Sequence, residues 1–139
     1  MPGSAAARAA GGVLRPSPAA PVTTRAVTVT PSGTVREIDL GSRHGQIDAL
    51  YRAIGSHHLD MITVTPHLLM WVDDQGLVTG SPVNQVATTL LTQIHPPRSH
   101  PVHGTVVFTG PADPTGDVTS LAPEWAQVLQ SHPHGNEPT

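Results

Sequence analysis

Apolar side chains recur along this chain with two different periods, which separates the segments that coil from those that extend. In residues 46–54 the apolar positions Ile47, Leu50, Tyr51 and Ile54 fall at i, i+3, i+4 and i+7, and Gly55 follows where a left-handed residue closes the last turn. A second stripe, Val83, Val86, Ala87, Leu90, Leu91 and Ile94, predicts a helix over 82–94. Ser81 is its expected N-cap, and Pro82 suits the first helical position, where a missing N–H costs nothing. Threonines at 88, 89 and 92 lower the intrinsic propensity, so the stripe alone carries this assignment. A third, short helix is expected over 123–130, burying Trp125, Val128 and Leu129, with Glu124 beside the positive end of its dipole.

The remaining apolar runs are too short for helices and are β-branched or bounded by turn residues. They read as strands over 26–30, 35–40, 61–65, 68–72, 76–79 and 105–109. Asp73, Asp74, Gln75 and Gly76 stand between two of these runs and predict a hairpin turn, with Gly76 supplying a positive φ. Strands interleaved with three helices predict a small α+β domain over 27–131, a mixed or antiparallel sheet with its helices on one face. Residues 1–26 contain three arginines, four prolines, no acid and no aromatic. Such a composition cannot bury enough apolar surface to offset backbone entropy, so this tail is expected to be disordered, and trypsin to cut it at Arg8, Arg15 and Arg25. Residues 132–139 are expected to form a second disordered tail.

Composition removes several function classes. No cysteine is present, so a disulfide framework, a thiolate nucleophile, an iron–sulfur cluster and cysteine-ligated zinc are all excluded. That fits a reducing compartment, and a cytoplasmic protein is expected. No stretch approaches the roughly 20 apolar residues of a membrane-spanning helix, so no membrane partner is expected. All seven basic residues are arginine, as GC-rich coding would produce. Within 27–131 four arginines face nine acids, a net charge of −5. That leaves no basic face for nucleic acid, and over 105 positions it is too dilute for a DNA mimic.

The nine histidines are the unusual chemistry, and most fall into three groups: His57 with His58; His95, His100 and His103; His132 with His134. Zinc needs several imidazoles converging on the metal, usually completed by a carboxylate or water. His95, His100 and His103 are the only candidate ligand set, with prolines at 96, 97 and 101 between them and no helical i, i+4 pair around a glutamate. No metal or other cofactor is therefore expected, and loop histidines explain the group better. A Ser–His–Asp hydrolase lacks its G-x-S-x-G elbow, and neither phosphate-binding glycine motif occurs. By residue type alone Asp73 and Asp74 suit an acid and base pair or an Mg²⁺ site; a tight turn explains them better. The four aromatics, Tyr51, Trp71, Phe108 and Trp125, lie on expected core faces. Trp71 becomes a possible partner anchor if its strand lies at a sheet edge.

The order of these features resembles the family of domain of unknown function 3846, small proteins of phages, plasmids and bacterial chromosomes, many actinobacterial. The resemblance is carried by 47–55 running into Leu59, Asp60, Met61 and Ile62, by Trp71 to Gly76, by Pro82 to Ala87, by His103 to Gly110, and by Gly116, Asp117, Ser120 and Leu121. It spans roughly residues 35–130. The chain departs from the pattern at 55–58, where a glycine pair is expected, and inserts 96–101 before the strand near Gly104. The resemblance implies a compact α+β accessory protein of a mobile element and supplies no catalytic residue. Asn84 is its most family-like polar position, either a cap bonding backbone or a recognition residue.

These readings together favour a non-enzymatic binding protein of a phage, plasmid or integrated element, with an unidentified protein as partner and Asn84 and Trp71 as possible interaction residues. The competing readings are a metal-dependent hydrolase using His95, His100 and His103, and an antagonist of a host defence system.

Overall fold

The computed structural model describes residues 23–42, 45–94 and 101–131. Two hairpins supply four of the five strands. Strands β1 (Arg25–Val29) and β2 (Val35–Asp39) are joined through a turn in which Gly33 takes φ 92° and its N–H donates to the Thr30 carbonyl at 2.9 Å. Strands β3 (Leu59–Thr65) and β4 (Leu68–Asp73) turn at Pro66 and His67, with an irregular register between Thr63 and Thr65. Strand β5 (Val106–Thr109) then enters between the hairpins, giving the order β2-β1-β5-β4-β3 with every neighbouring pair antiparallel. This is the predicted α+β class, and the sheet is antiparallel rather than mixed.

Helices cover both faces of the sheet, not the one face expected. Successive residues of β5 show why: Val106 and Phe108 join one core cluster, while Val107 points into the other, and all three are fully buried. Helix α1 (Gln46–Ile54) lies over β5 and β4 on the Val107 side, where Leu50 packs with Leu69 and Val118. Helices α2 (Gln85–Ile94) and α3 (Pro123–Ser131) cover the opposite side through Val86, Leu90, Leu91 and Leu129. The unbroken apolar runs in β4 and β5 are the sequence mark of strands buried on both faces.

Local signals set the helix ends in one case and failed in another. Gly55 adopts φ 82°, and its N–H and that of Ser56 both donate to the Tyr51 carbonyl, closing α1 as its stripe predicted. The stripe is rotated from expectation, however: Ile47 is 46% exposed while Gln46 is buried. The Gln46 amide donates to Thr24 Oγ1 and the Val118 carbonyl and accepts from the Val118 N–H, so one hydroxyl and two backbone groups satisfy it in the core. Helix α2 starts at Gln85, not Pro82, and its cap is Asn84, whose Oδ1 accepts the Ala87 N–H at 3.1 Å. Pro82 and Val83 are held outside the helix because the Pro82 carbonyl accepts the Gly104 N–H and Val83 bridges to His103. On α3, Leu129 is fully buried and Trp125 partly, whereas Val128 faces solvent.

The strand expected over 76–79 does not form, and Asp73, Asp74, Gln75 and Gly76 do not make a hairpin. Both sides of β4 are already paired, with β3 and with β5, so a further strand has no ladder to join. Gly76 also lacks a positive φ; Gly80 has it, at 80°. What glycine provides at 76 is room, since a Cβ there would lie 3.2 Å from both Cβ and the carbonyl oxygen of His103.

The boundary of the expected N-terminal tail also moves. Residues 1–22 lie outside the described residues, as do 132–139, but Arg25 and Ala26 belong to β1. The Arg25 N–H donates to Ser120 Oγ and its carbonyl accepts the Leu121 N–H, while its guanidinium meets Glu37 at 3.4 Å. Trypsin should therefore spare the Arg25–Ala26 bond under native conditions, because cleavage needs this paired backbone to open. Limited proteolysis with mass spectrometry checks this; cleavage at Arg25 as fast as at Arg8 or Arg15 would contradict the strand.

Candidate functional site

The chain leaves β4 into a loop that runs to Asn84, and three sets of hydrogen bonds hold it. Asp73 Oδ1 accepts the Gln75 N–H at 2.8 Å and the Ser56 hydroxyl at 3.0 Å, tying the end of β4 to the segment after α1. The Asp74 N–H donates to the His58 carbonyl at 2.6 Å. Within the loop the Thr79 N–H donates to Gln75 and the Ser81 N–H to Gly76, each at 2.9 Å, and Gly80 makes the left-handed turn. Its far side is clamped by His103, whose Nδ1 lies 2.7 Å from the Ser81 carbonyl. A carbonyl only accepts, so Nδ1 carries the proton and, in the neutral ring, Nε2 is bare.

This bonded loop holds Leu77 and Val78 in solvent at 61% and 82% exposure. Burying each side chain would release about 2 kcal/mol, so a fold that fixes both outside forgoes that stabilisation. Below Leu77, on the α2 and α3 side of the sheet, a groove of about 200 Å³ is walled by Ile62, Val72, Pro101 and Val102 and rimmed by Asp60, Asp73 and Asp74. On the other flank a cleft of about 520 Å³ is lined mainly by polar groups, among them Ser56, His58, Gln75, Thr79 and Ser81. Three of its hydroxyls are already engaged: Ser56 with Asp73, and Thr79 with the Gly76 carbonyl and with Ser81.

The residues singled out from sequence are scattered relative to this loop. Asn84 sits at its base with no exposed surface; its Nδ2 donates to the Val29 and Gly104 carbonyls at 2.8 and 2.9 Å. All of its hydrogen bonding is internal. Trp71 is half-buried on β4, one strand in from the edge, with Nε1 donating to Thr109 Oγ1 at 3.0 Å. Its neighbour across the ladder is Met61 on the outermost strand, 42% exposed. His103 lies at the groove, whereas His95 and His100 lie outside the described residues. Among the described residues no group of three or more His, Asp or Glu side chains is placed to hold a metal ion. His57 packs its ring 4.7 Å from that of Tyr51, away from His103 in the chain and in a different contact. Among the described residues no helix is long and apolar enough to cross a membrane.

Leu77 and Val78 are what the sequence reading missed, because their β-branched, apolar run looked like a strand interior. The signal against that reading was the pair of glycines at 76 and 80, which bracket too few residues for a strand and suit a closed loop.

A family model described as a domain of unknown function, DUF3846, matches residues 24–134, from the residue before β1 to beyond the end of α3. No curated protein and no solved structure matches the chain.

Proposed function

The chain belongs to the DUF3846 family, and from that premise we propose that it is a non-enzymatic accessory protein of a phage, plasmid or integrated mobile element, working in the host cytoplasm through protein–protein contacts. The observation that carries the reading is the loop after β4. It is fixed by internal hydrogen bonds, yet it presents Leu77 and Val78 to solvent. Ordering an apolar tip before binding lowers the entropy cost of association, which is what a docking surface gains from rigidity. The mobile-element setting, with an actinobacterial host, rests on the resemblance read in the sequence.

Photo-crosslinking tests the contact. A benzoylphenylalanine placed at Val78 in cells should yield one discrete protein adduct, absent when the same group replaces the exposed Arg52 on α1, and lost on adding Leu77→Asp. Equal adducts from both positions, or none from position 78, would overturn the reading. So would stoichiometric zinc in protein purified without a histidine tag, which favours the hydrolase alternative. Genes for replication, partition, transfer or antirestriction are expected beside this one; a metabolic operon would remove the mobile-element setting.

A further inference from the structure

We infer that the groove under Leu77 takes one apolar side chain of an extended peptide segment that carries lysine or arginine next to it. This deepens the protein-contact reading and rests on it. Size comes first. At about 200 Å³ the groove falls below the 300–1,000 Å³ of small-molecule and cofactor sites and accommodates a single aliphatic or aromatic side chain. Its walls agree, since Ile62, Val72, Leu77, Pro101 and Val102 present hydrocarbon, with the His103 ring the one polar group among them below the aspartate rim.

Charge then selects the occupant. Asp60, Asp73 and Asp74 rim the groove, and the ion pair of Arg25 with Glu37 lies elsewhere on the molecule. Asp73 uses Oδ1 for Ser56 and Gln75, and Asp60 Oδ1 accepts its neighbour's N–H from Met61; a carboxylate has acceptor positions beyond these. A basic side chain beside the apolar anchor would meet this rim in a charge-assisted hydrogen bond. A second copy meeting the groove through this same face would instead bring aspartates against aspartates, and a nucleic acid would bring phosphates, so both are disfavoured by the same rim. An extended segment also has room. Among the described residues β3 is the outermost strand on this side, and Asp60 and Ile62 project from it toward the groove.

The test is an NMR titration of the ¹⁵N-labelled full chain with three blocked pentapeptides: Ser-Arg-Leu-Lys-Ser, the same peptide with glycine for leucine, and the same with glutamate for both basic residues. The first should shift the amides of Ile62, Leu77 and Val102 saturably, with Kd of about 0.1–1 mM, the weak range of one anchor and two rim charges. The other two should leave these amides in place. The Asp60→Asn, Asp74→Asn double variant should bind about fivefold more weakly at an unchanged melting temperature, and Leu77→Asp should abolish binding. Since all three positions are exposed or at the rim, their melting curves report directly whether the fold survives. Shifts that spread over the acidic surface without saturating, equal binding by the glutamate peptide, or shifts confined to the polar cleft by Ser56 would each overturn the inference. A discrete adduct at Val78 with no peptide response overturns this inference alone and leaves the contact reading standing.

Discussion

Asn84→Ala is expected to lower the unfolding free energy by about 3–8 kcal/mol, the largest loss from any single polar side chain in the described fold. The amide has no exposed surface and serves three backbone groups: it accepts the Ala87 N–H and donates to the carbonyls of Val29 and Gly104. Removing it strips α2 of its cap, at about 0.5–2 kcal/mol, and leaves two buried carbonyls without partners, at about 1–3 kcal/mol each. Against a total of roughly 5–15 kcal/mol for a native domain, that is a large fraction. Asn84→Asp separates the roles, because it keeps the acceptor for Ala87 while turning the donor side into an oxygen that faces two carbonyl oxygens. It should lose at least as much as alanine, because a carboxylate buried there has no donor to offer those carbonyls. Urea denaturation followed by circular dichroism measures both; a loss under about 1 kcal/mol for either would mean that water replaces the amide. The site should suffer too, since this residue anchors the end of the loop that carries Leu77.

Leu50→Ala and Leu90→Ala should each cost about 2–5 kcal/mol, the transfer term of the lost methyl groups plus the cavity left behind. Leu50 is 1% exposed in the cluster under α1, and Leu90 is 4% exposed in the cluster under α2 and α3. The sheet separates them. Because the two share no packing partner, the double variant should lose the sum of the single losses to within about 0.5 kcal/mol. Denaturant melts of the three variants settle this. A single loss below about 0.5 kcal/mol would place that leucine at the surface, and a marked departure from additivity would mean that the sheet transmits repacking from one face to the other.

The separation between those clusters also marks where sequence reading succeeds and stops. The bounds of helix α1 were legible to the residue, because apolar spacing and the left-handed Gly55 depend on neighbours three to five positions away, whereas the burial of Gln46 in place of Ile47 was not. Strands β1, β2, β4 and β5 were legible within a residue or two for the same reason: alternation, or an unbroken β-branched run, is a local property. The start of α2 was not, although Ser81 and Pro82 had good local credentials. The interactions that win there are long-range, since Asn84 bonds residues 55 and 20 positions away and Gly104 takes the Pro82 carbonyl. The acid pair at Asp73 and Asp74 suggested a hairpin, and only the pairing of β4 on both sides removed the partner such a hairpin needs.

The candidate site was less legible than the fold. Leu77 and Val78 look like core residues by type, and whether an apolar residue is buried depends on what the rest of the chain brings to cover it. Gly76 looked like a turn residue, yet its small size matters because His103, 27 positions later, packs against it. The sequence by itself determined the class of fold, the helix that Gly55 closes, the absence of cysteine chemistry and the acidic balance of the domain. Tertiary structure alone decided the strand order, the placement of helices on both faces, the burial of Asn84 and Gln46, and the exposure of the loop tip. Periodicity and caps are settled among a few adjacent residues, whereas burial and pairing are settled between segments that meet only after β5 has entered between the two hairpins.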